Sequence, residues 1–245
     1  MVNLQGRNIL VTGASSGIGR ATAILLSQLG ASVILCGRDK ERLQETADKM
    51  EGASHGIIPF DVKDFSVYED VFQKAISLND CKLDGFVHCA GIAIPTPARA
   101  LSEDAVHEIL DVNYVSFMML VRQYVKKKYS NGGSIVAISA VNAHYPQKCM
   151  SVYAGSKIAL ESSVRALALE LADKDIRINC VVPGGVNTPM AQQGFEETKQ
   201  YLGQKALLGM AEPEDVANMI AFLLSNASRM ITGRAMYVDC GWLGQ

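Results

Sequence analysis

Residues 8 to 36 restrict the fold more than any other stretch of the chain. Asn8–Val11 is a short apolar-rich run, TGASSGIG follows at 12–19, an amphipathic segment extends to Gly30, and Ser32–Cys36 is a second apolar run. Strand, glycine-rich turn, helix and strand in this order make a βαβ unit, which requires a parallel sheet. The three glycines of the turn have separate tasks. Gly13 permits a tight turn, Gly17 lets the backbone approach a ligand phosphate, and Gly19 allows the helix to pack closely. The amides at the helix N-terminus then face an anion, so a nucleotide phosphate is the expected ligand.

The end of the second run refines that expectation. A site selective for an unphosphorylated ribose carries an acidic side chain there to accept from the 2′-hydroxyl. This chain has Gly37 followed by Arg38. A guanidinium grips a 2′-phosphate through charge-assisted hydrogen bonds, so NADP is expected over NAD. Asp39 suits the N-cap of the helical stretch that follows.

The alternation continues to the end of the chain. Further strands are expected at His55–Phe60, Phe86–Cys89, Ser134–Ser139, Ile176–Val182 and Ala235–Val238. Long helical segments are expected over Leu101–Lys128 and Ser151–Leu171, and a Pro213-led helix over Glu212–Ser225. Asp61, after the third strand, suits either an adenine amino group or the cap of the next helix. No linker, repeat or low-complexity tract interrupts the pattern, so one domain over residues 1–245 is expected, with a substrate lid at about 185–210.

Composition closes off other classes. A chain of 245 residues, 49% of them hydrophobic, buries a large core. A formal net charge of -2 gives no reason to expect nucleic acid or an anionic membrane as partner. Neither a secretory leader nor a run of about 18 apolar residues occurs, and a cytoplasmic location is expected. The six cysteines are scattered without a CxxC or a Cys/His cluster, so reduced thiols and no metal site are expected.

The chemistry is expected on the Ser151–Leu171 helix. Tyr153 and Lys157 lie one turn apart on one face. A phenol titrates near 10 and is a poor acid or base at neutral pH. A fixed ammonium within about 4–6 Å pulls that value toward the working range, which is a physical reason to pair them.

TGASSGIG at 12–19, Asp61, Ala90-Gly91, Asn113, Ser139, the Tyr153/Lys157 pair, Pro183-Gly184, Thr188 and the terminal ITGRAMYVDCG stand in the order found in short-chain dehydrogenases/reductases. The chain resembles that family over essentially its whole length, and within it the single-domain branch of 3-oxoacyl-(acyl-carrier-protein) reductases. The resemblance implies a Rossmann-type, doubly wound α/β fold with a seven-stranded, mostly parallel sheet and helices on both faces. It implies that Tyr153 is the general acid/base, that Ser139 holds and polarises the carbonyl oxygen, and that Lys157 holds the nicotinamide ribose and depresses the Tyr153 pKa. Asn113 would anchor a water in the proton relay.

For the cofactor, the resemblance implies contacts from Gly13, Ser15, Ser16, Gly17, Ile18 and Gly19, from Arg38, from Asp61 and Val62, and from Cys89, Ala90 and Gly91. Tyr153, Lys157, Pro183, Gly184, Val186 and Thr188 complete the set, with Thr188 at the carboxamide. Two departures stand out: His88 and Cys89 replace the family's Asn-Asn, and Cys240 replaces a common glycine.

The expected activity is NADP(H)-dependent interconversion of a ketone or 3-oxoacyl thioester and a secondary alcohol. An alcohol, sugar or hydroxysteroid dehydrogenase working oxidatively is the alternative. A cofactor sensor without turnover is a third reading, disfavoured by the complete Asn113–Ser139–Tyr153–Lys157 set. Segments 92–97, 140–150 and 185–202 are expected to line the substrate site, with Lys148, Glu196, Glu197 and Lys199 as their charges, which suits a neutral or thioester substrate. Lys126, Lys127, Lys128 and Lys174 form a candidate docking surface for an acidic carrier, with a solvated helix end as the plainer reading. Apolar residues around much of the girth of both long helices point to a homodimer or homotetramer.

Overall fold

A computed structural model describes residues 2–52, 55–192 and 206–242. Seven strands form one sheet: β1 (Asn8–Thr12), β2 (Ser32–Gly37), β3 (Gly56–Pro59), β4 (Leu83–His88), β5 (Ser130–Ile138), β6 (Ile176–Pro183) and β7 (Ala235–Val238). Their order is β3-β2-β1-β4-β5-β6-β7, and every pairing is parallel. The sheet is therefore parallel throughout rather than mostly so. The order reverses between β1 and β4, and ligands of such sheets collect at the carboxyl ends beside that switch.

Both faces of the sheet are covered, so the strands read as continuous apolar runs instead of alternating ones. In β1, Leu10 joins the core on one face while Ile9 and Val11 join the core on the other. The first core is closed by α3 (Tyr68–Leu78), α5 (Ser116–Tyr124) and α6 (Ser151–Leu171). The second is closed by α1 (Gly17–Gln28), α2 (Lys40–Ala47) and the Pro213-led helix, Pro213–Leu224. That helix begins with Glu212 and Asp215 bonding each other's backbone amides, with Pro213 in the first turn. Among the described residues no helix is long and apolar enough to cross a membrane.

The structure corrects the sequence reading in three places. The expected helix over Leu101–Lys128 is two helices, α4 (Glu103–Leu110) and α5, joined by a wide π turn over Asp111–Val115. Strand β5 begins at Ser130, four residues early, because Gly132 and Gly133 run in the strand at φ +126 and +114 rather than turning the chain. A side chain at Gly133 would strike the Asp84 carbonyl oxygen at 2.1 Å, so only glycine fits there. Asp61 does not cap a helix: its carboxylate accepts from the Lys63 amide at 2.9 Å, and Asp64 caps the following turn. Residues 193–205 of the expected lid, with Glu196, Glu197, Lys199 and Leu202, lie outside the described residues.

Candidate active site

The glycine-rich turn performs as its spacing requires. Gly13 sits at φ +67, and a Cβ there would lie 2.7 Å from the Ala90 amide nitrogen. Gly19 touches the turn itself, since a Cβ would lie 2.2 Å from the Gly13 carbonyl oxygen. Larger residues are excluded at both places by backbone, which cannot yield. Ser16, the N-cap of α1, makes no side-chain capping bond. The first amides of α1 therefore remain available to an anion in the cavity beside them.

That cavity, about 270 Å³, is lined by Gly13, Ser15 to Gly19, Arg38, Asp61, Val62, Cys89, Ala90, Gly91 and Thr188. Gly37, expected beside Arg38 at the ribose, and Ile92, expected at the substrate site, line it as well; Arg42 and Phe60 also do, and sequence reasoning did not single those two out. Arg42 stands in the first turn of α2, four residues after Arg38, and adds a second cation to the same cavity wall. Arg38 is exposed and forms no ion pair among the described residues. Asp39 caps α2 by accepting from the Arg42 amide at 3.0 Å, so it is turned to its helix rather than to a ribose. Unmatched amides, glycine walls and free guanidinium groups fit the phosphates of a dinucleotide.

A second cavity, about 510 Å³, continues from the first past Ile18, Cys89, Gly91, Thr188 and Met190, which line both. Ser139, Tyr153 and Lys157 stand in its wall, as do Pro183, Gly184 and Val186. Ala93, Pro95, Pro97, Val141, Met150 and Ala191 make the rest mostly apolar, and Lys148 is the charge in the lining besides Lys157. The described parts of all three segments expected to line a substrate site meet here.

The electrostatics differ from expectation. Lys157 is buried and donates to the Ile138 carbonyl at 2.8 Å, with its ammonium 5.6 Å from the centre of the Tyr153 ring. Burial pushes the Tyr153 phenol up to about 12, and burial pulls the Lys157 ammonium down to about 8. The expected lowering of the phenol pKa is absent in the protein alone because desolvation by burial governs the phenol.

Asn113 lies deep behind the loop after β4. It is fully buried in the π turn and lines neither cavity. Its amide group donates to the Ile92 carbonyl at 2.9 Å and to Ser156 Oγ at 3.0 Å, and its oxygen accepts from the Ile92 amide at 2.8 Å. Both N–H bonds are spent, so the side chain clamps the loop after β4 rather than offering a donor to water. Gly91 lies in front of it: a Cβ there would sit 3.4 Å from both Asn113 Oδ1 and Lys157 Nζ.

His88, the departure from the family pattern, is a buried structural group. Its Nδ1 lies 3.0 Å from Thr12 Oγ1 and its Nε2 3.3 Å from Ser116 Oγ, tying β1 and β4 to α5. Burial first, and then the Lys157 charge, lower it to about 3. Cys89 touches both cavities, and burial raises its thiol to about 12, so it meets a ligand as a neutral, apolar group.

Comparisons with known proteins agree with this geometry. Residues 13–243 match the family described as enoyl-(acyl carrier protein) reductase. The chain is 34% identical to a glucose 1-dehydrogenase of Gluconobacter oxydans, covering 96% of this chain and 91% of that protein. It is 33% identical to the 3-oxoacyl-(acyl-carrier-protein) reductase FabG of Rickettsia conorii, with 99% of both chains covered. The crystal structure of a dehydrogenase/reductase from Sinorhizobium meliloti superposes with a TM-score of 0.92 at 28% identity, over 98% of this chain and 96% of that one. The glycine turn at the switch point, the serine, tyrosine and lysine in one cavity wall and these full-length matches make the chain a member of the short-chain dehydrogenase/reductase family, an NAD(P)-dependent oxidoreductase.

Proposed function

We propose that the protein is an NADP(H)-dependent reductase of ketones or 3-oxoacyl thioesters, with Tyr153 as proton donor. The carrying observation is the junction of the two cavities, where a glycine-walled cleft with Arg38 and Arg42 opens onto an apolar chamber walled by Tyr153, Ser139 and Lys157. A bound nicotinamide supplies or accepts the hydride. Tyr153 moves the proton at the substrate oxygen, and its high intrinsic pKa suits it to hold that proton until the oxygen takes it. In this reading Lys157 and Gly91 would hold the ribose, Thr188 the nicotinamide end, Asp61 and Val62 the adenine end and the first turn of α1 the pyrophosphate, while Asn113 bonds Ile92 behind Gly91.

The apolar lining favours an acyl or alkyl ketone over a sugar, whose hydroxyls would each need a partner there. Oxidation of a secondary alcohol by the same residues remains the second reading. The test is a panel of acetoacetyl thioesters, simple ketones, sugars and alcohols with each cofactor, followed by absorbance of the reduced nicotinamide. Faster turnover with glucose, or with NAD, than with any ketone and NADPH would refute the reading.

Two expectations about partners change with the fold. Lys126 and Lys128 both reach Glu69, and all three clustered lysines precede β5, at the opposite end of that strand from Ser139. A carrier docked on them would lie far from the chamber mouth, and these lysines give it no support. On α5, Phe117 is fully buried against Phe86 and His88, so it belongs to this chain's own core, and an Asp there would unfold the chain. Leu169 on α6 and Met230 ahead of β7, each 85% exposed, are the candidate side chains for a subunit contact in a dimer or tetramer, with β7 the last strand of the sheet. Light scattering of Leu169→Asp should give a smaller, folded species. Six unpaired cysteines suit a reducing, cytoplasmic setting.

A further inference from the structure

At the adenine end of the glycine-walled cleft an ion pair spans the two sides, and the functional reading does not use it. Glu108, near the end of α4, lines the cavity of about 270 Å³ together with Asp61. Lys63 Nζ lies 2.7 Å from Glu108 Oε2, joining the chain after β3 to α4 across 45 residues. The amide of the same lysine donates to Asp61 Oδ1 at 2.9 Å. One residue therefore fixes two carboxylates that line one cavity, the first with its ammonium and the second with its backbone. Each carboxylate keeps an oxygen, Glu108 Oε1 and Asp61 Oδ2, that accepts no hydrogen bond among the described residues.

Stability gives little reason for the pair. Its side chains are 35% and 41% exposed, and ion pairs so open to water add little to folding. The bond to Glu108 raises the Lys63 pKa while the Arg38 charge opposes the rise, so the pair stands within electrostatic reach of the guanidinium at the ribose. The two free oxygens point to their partner by their chemistry. A carboxylate only accepts, whereas the 6-amino group of adenine donates and a 6-oxo purine presents an acceptor in its place. An amino group set against a carboxylate gains a charge-assisted bond, and an oxo group there meets repulsion. The family resemblance implies Asp61 at this end; Glu108 and Lys63 enter only through the geometry. We infer that Glu108, held in place by Lys63, is a second specificity residue for the base, selecting a dinucleotide with a 6-amino purine over one with a 6-oxo purine. This rests on the reading of the cleft as a dinucleotide site.

Equilibrium binding to the full-length protein without substrate, followed by nicotinamide fluorescence, tests it. The probes are NADPH and its deaminated analogue, reduced nicotinamide hypoxanthine dinucleotide phosphate. The unaltered protein should bind the analogue more weakly. A hydrogen bond half open to water is worth roughly three- to tenfold, so Glu108→Ala should raise the NADPH Kd by that factor and leave the analogue's Kd unchanged or lower. The ratio of the two Kd values then narrows, with Asp61 keeping it above one. Glu108→Gln should narrow it as well, since its amide donates to a 6-oxo group, and Lys63→Met should narrow it by less. Parallel rises for both probes in Glu108→Ala would make the pair a strap between α4 and the chain after β3, and would overturn the inference. Equal affinity of the unaltered protein for the two probes would overturn it too. If neither probe binds, the dinucleotide reading itself fails, and the inference falls with it. Normal NADPH binding with a ratio that Glu108→Ala does not move removes the inference alone.

Discussion

The two halves of the sheet handle their ligands by different means. Around β1 and β2 the site is made of backbone: glycines at close approaches, free amides at the start of α1, and exposed arginines at the rim. Around β5 and α6 it is made of side chains taken out of water, with Ser139, Lys157 and Glu161 at most 5% exposed and joined by hydrogen bonds. A phosphate needs many weak donors and tolerates solvent, whereas proton transfer needs a few groups with displaced pKa values. Substitutions in the first half should therefore alter affinity, and substitutions in the second should alter rate and pH dependence.

The sharpest way to break that contrast is Tyr153→Phe, which keeps the ring and removes the proton. Acid–base groups contribute roughly 10²–10⁴-fold, so kcat should fall by at least about 10²-fold with cofactor affinity nearly intact. Retention of more than about a tenth of the wild-type kcat would assign the proton to another group.

Arg38→Ala probes the other half. Loss of a charge-assisted phosphate contact, about 1.5–3 kcal/mol, should weaken NADP binding by roughly ten- to a hundredfold. NAD binding should barely move, and kcat should hold. Equal loss for both cofactors, measured by fluorescence titration, would make Arg38 structural.

Lys157 belongs to both halves, and pH separates its roles. Its pKa of about 8 means that cofactor affinity, if it needs the ammonium, falls as pH rises through that value, by up to about tenfold per unit. Folding stability moves the other way. Between about 8 and the ordinary 10.5 the unfolded chain binds the extra proton, so stability rises with pH across that window. Lys157→Met should abolish both trends and lower kcat. A mutant with unchanged cofactor affinity at neutral pH would restrict Lys157 to the electrostatic role.

An effect on stability alone, absent at neutral pH, is expected at His88, inside the core between the halves. With its pKa lowered from 6.5 to about 3, the unfolded chain binds the proton first as pH falls. Stability is then lost below about 6.5, by up to about 1.4 kcal/mol per unit until pH 3 is approached. Urea unfolding at several pH values should show a shallower acid loss for His88→Asn than for the unaltered chain. Identical slopes would mean that His88 is already charged in the fold.

Much of this was legible in the residues themselves. The strands, the glycine turn and the one-turn spacing of Tyr153 and Lys157 are local patterns, and local patterns are set by sterics and helical periodicity that neighbouring residues carry with them. Gly13 and Gly19 could be assigned their tasks from spacing, and the close backbone contacts agree. Arg42 was missed because its place on the cavity wall depends on where α2 starts relative to β2.

The remainder was decided by packing over long separations. Glu161 looks like any helix-forming residue until β5 brings Ser139 against it, 22 residues away in the chain. Asn113 sits in a π turn with its amide on Ile92 and Ser156, from a loop and another helix. The phenol of Tyr153 moved opposite to the pairwise expectation because burial, a property of the whole fold, sets its pKa. Sequence alone determined which chemical groups are present and how the backbone runs near them. Only tertiary structure decided how much water each group keeps and which partner holds its proton, because both depend on atoms that residues distant in the chain contribute.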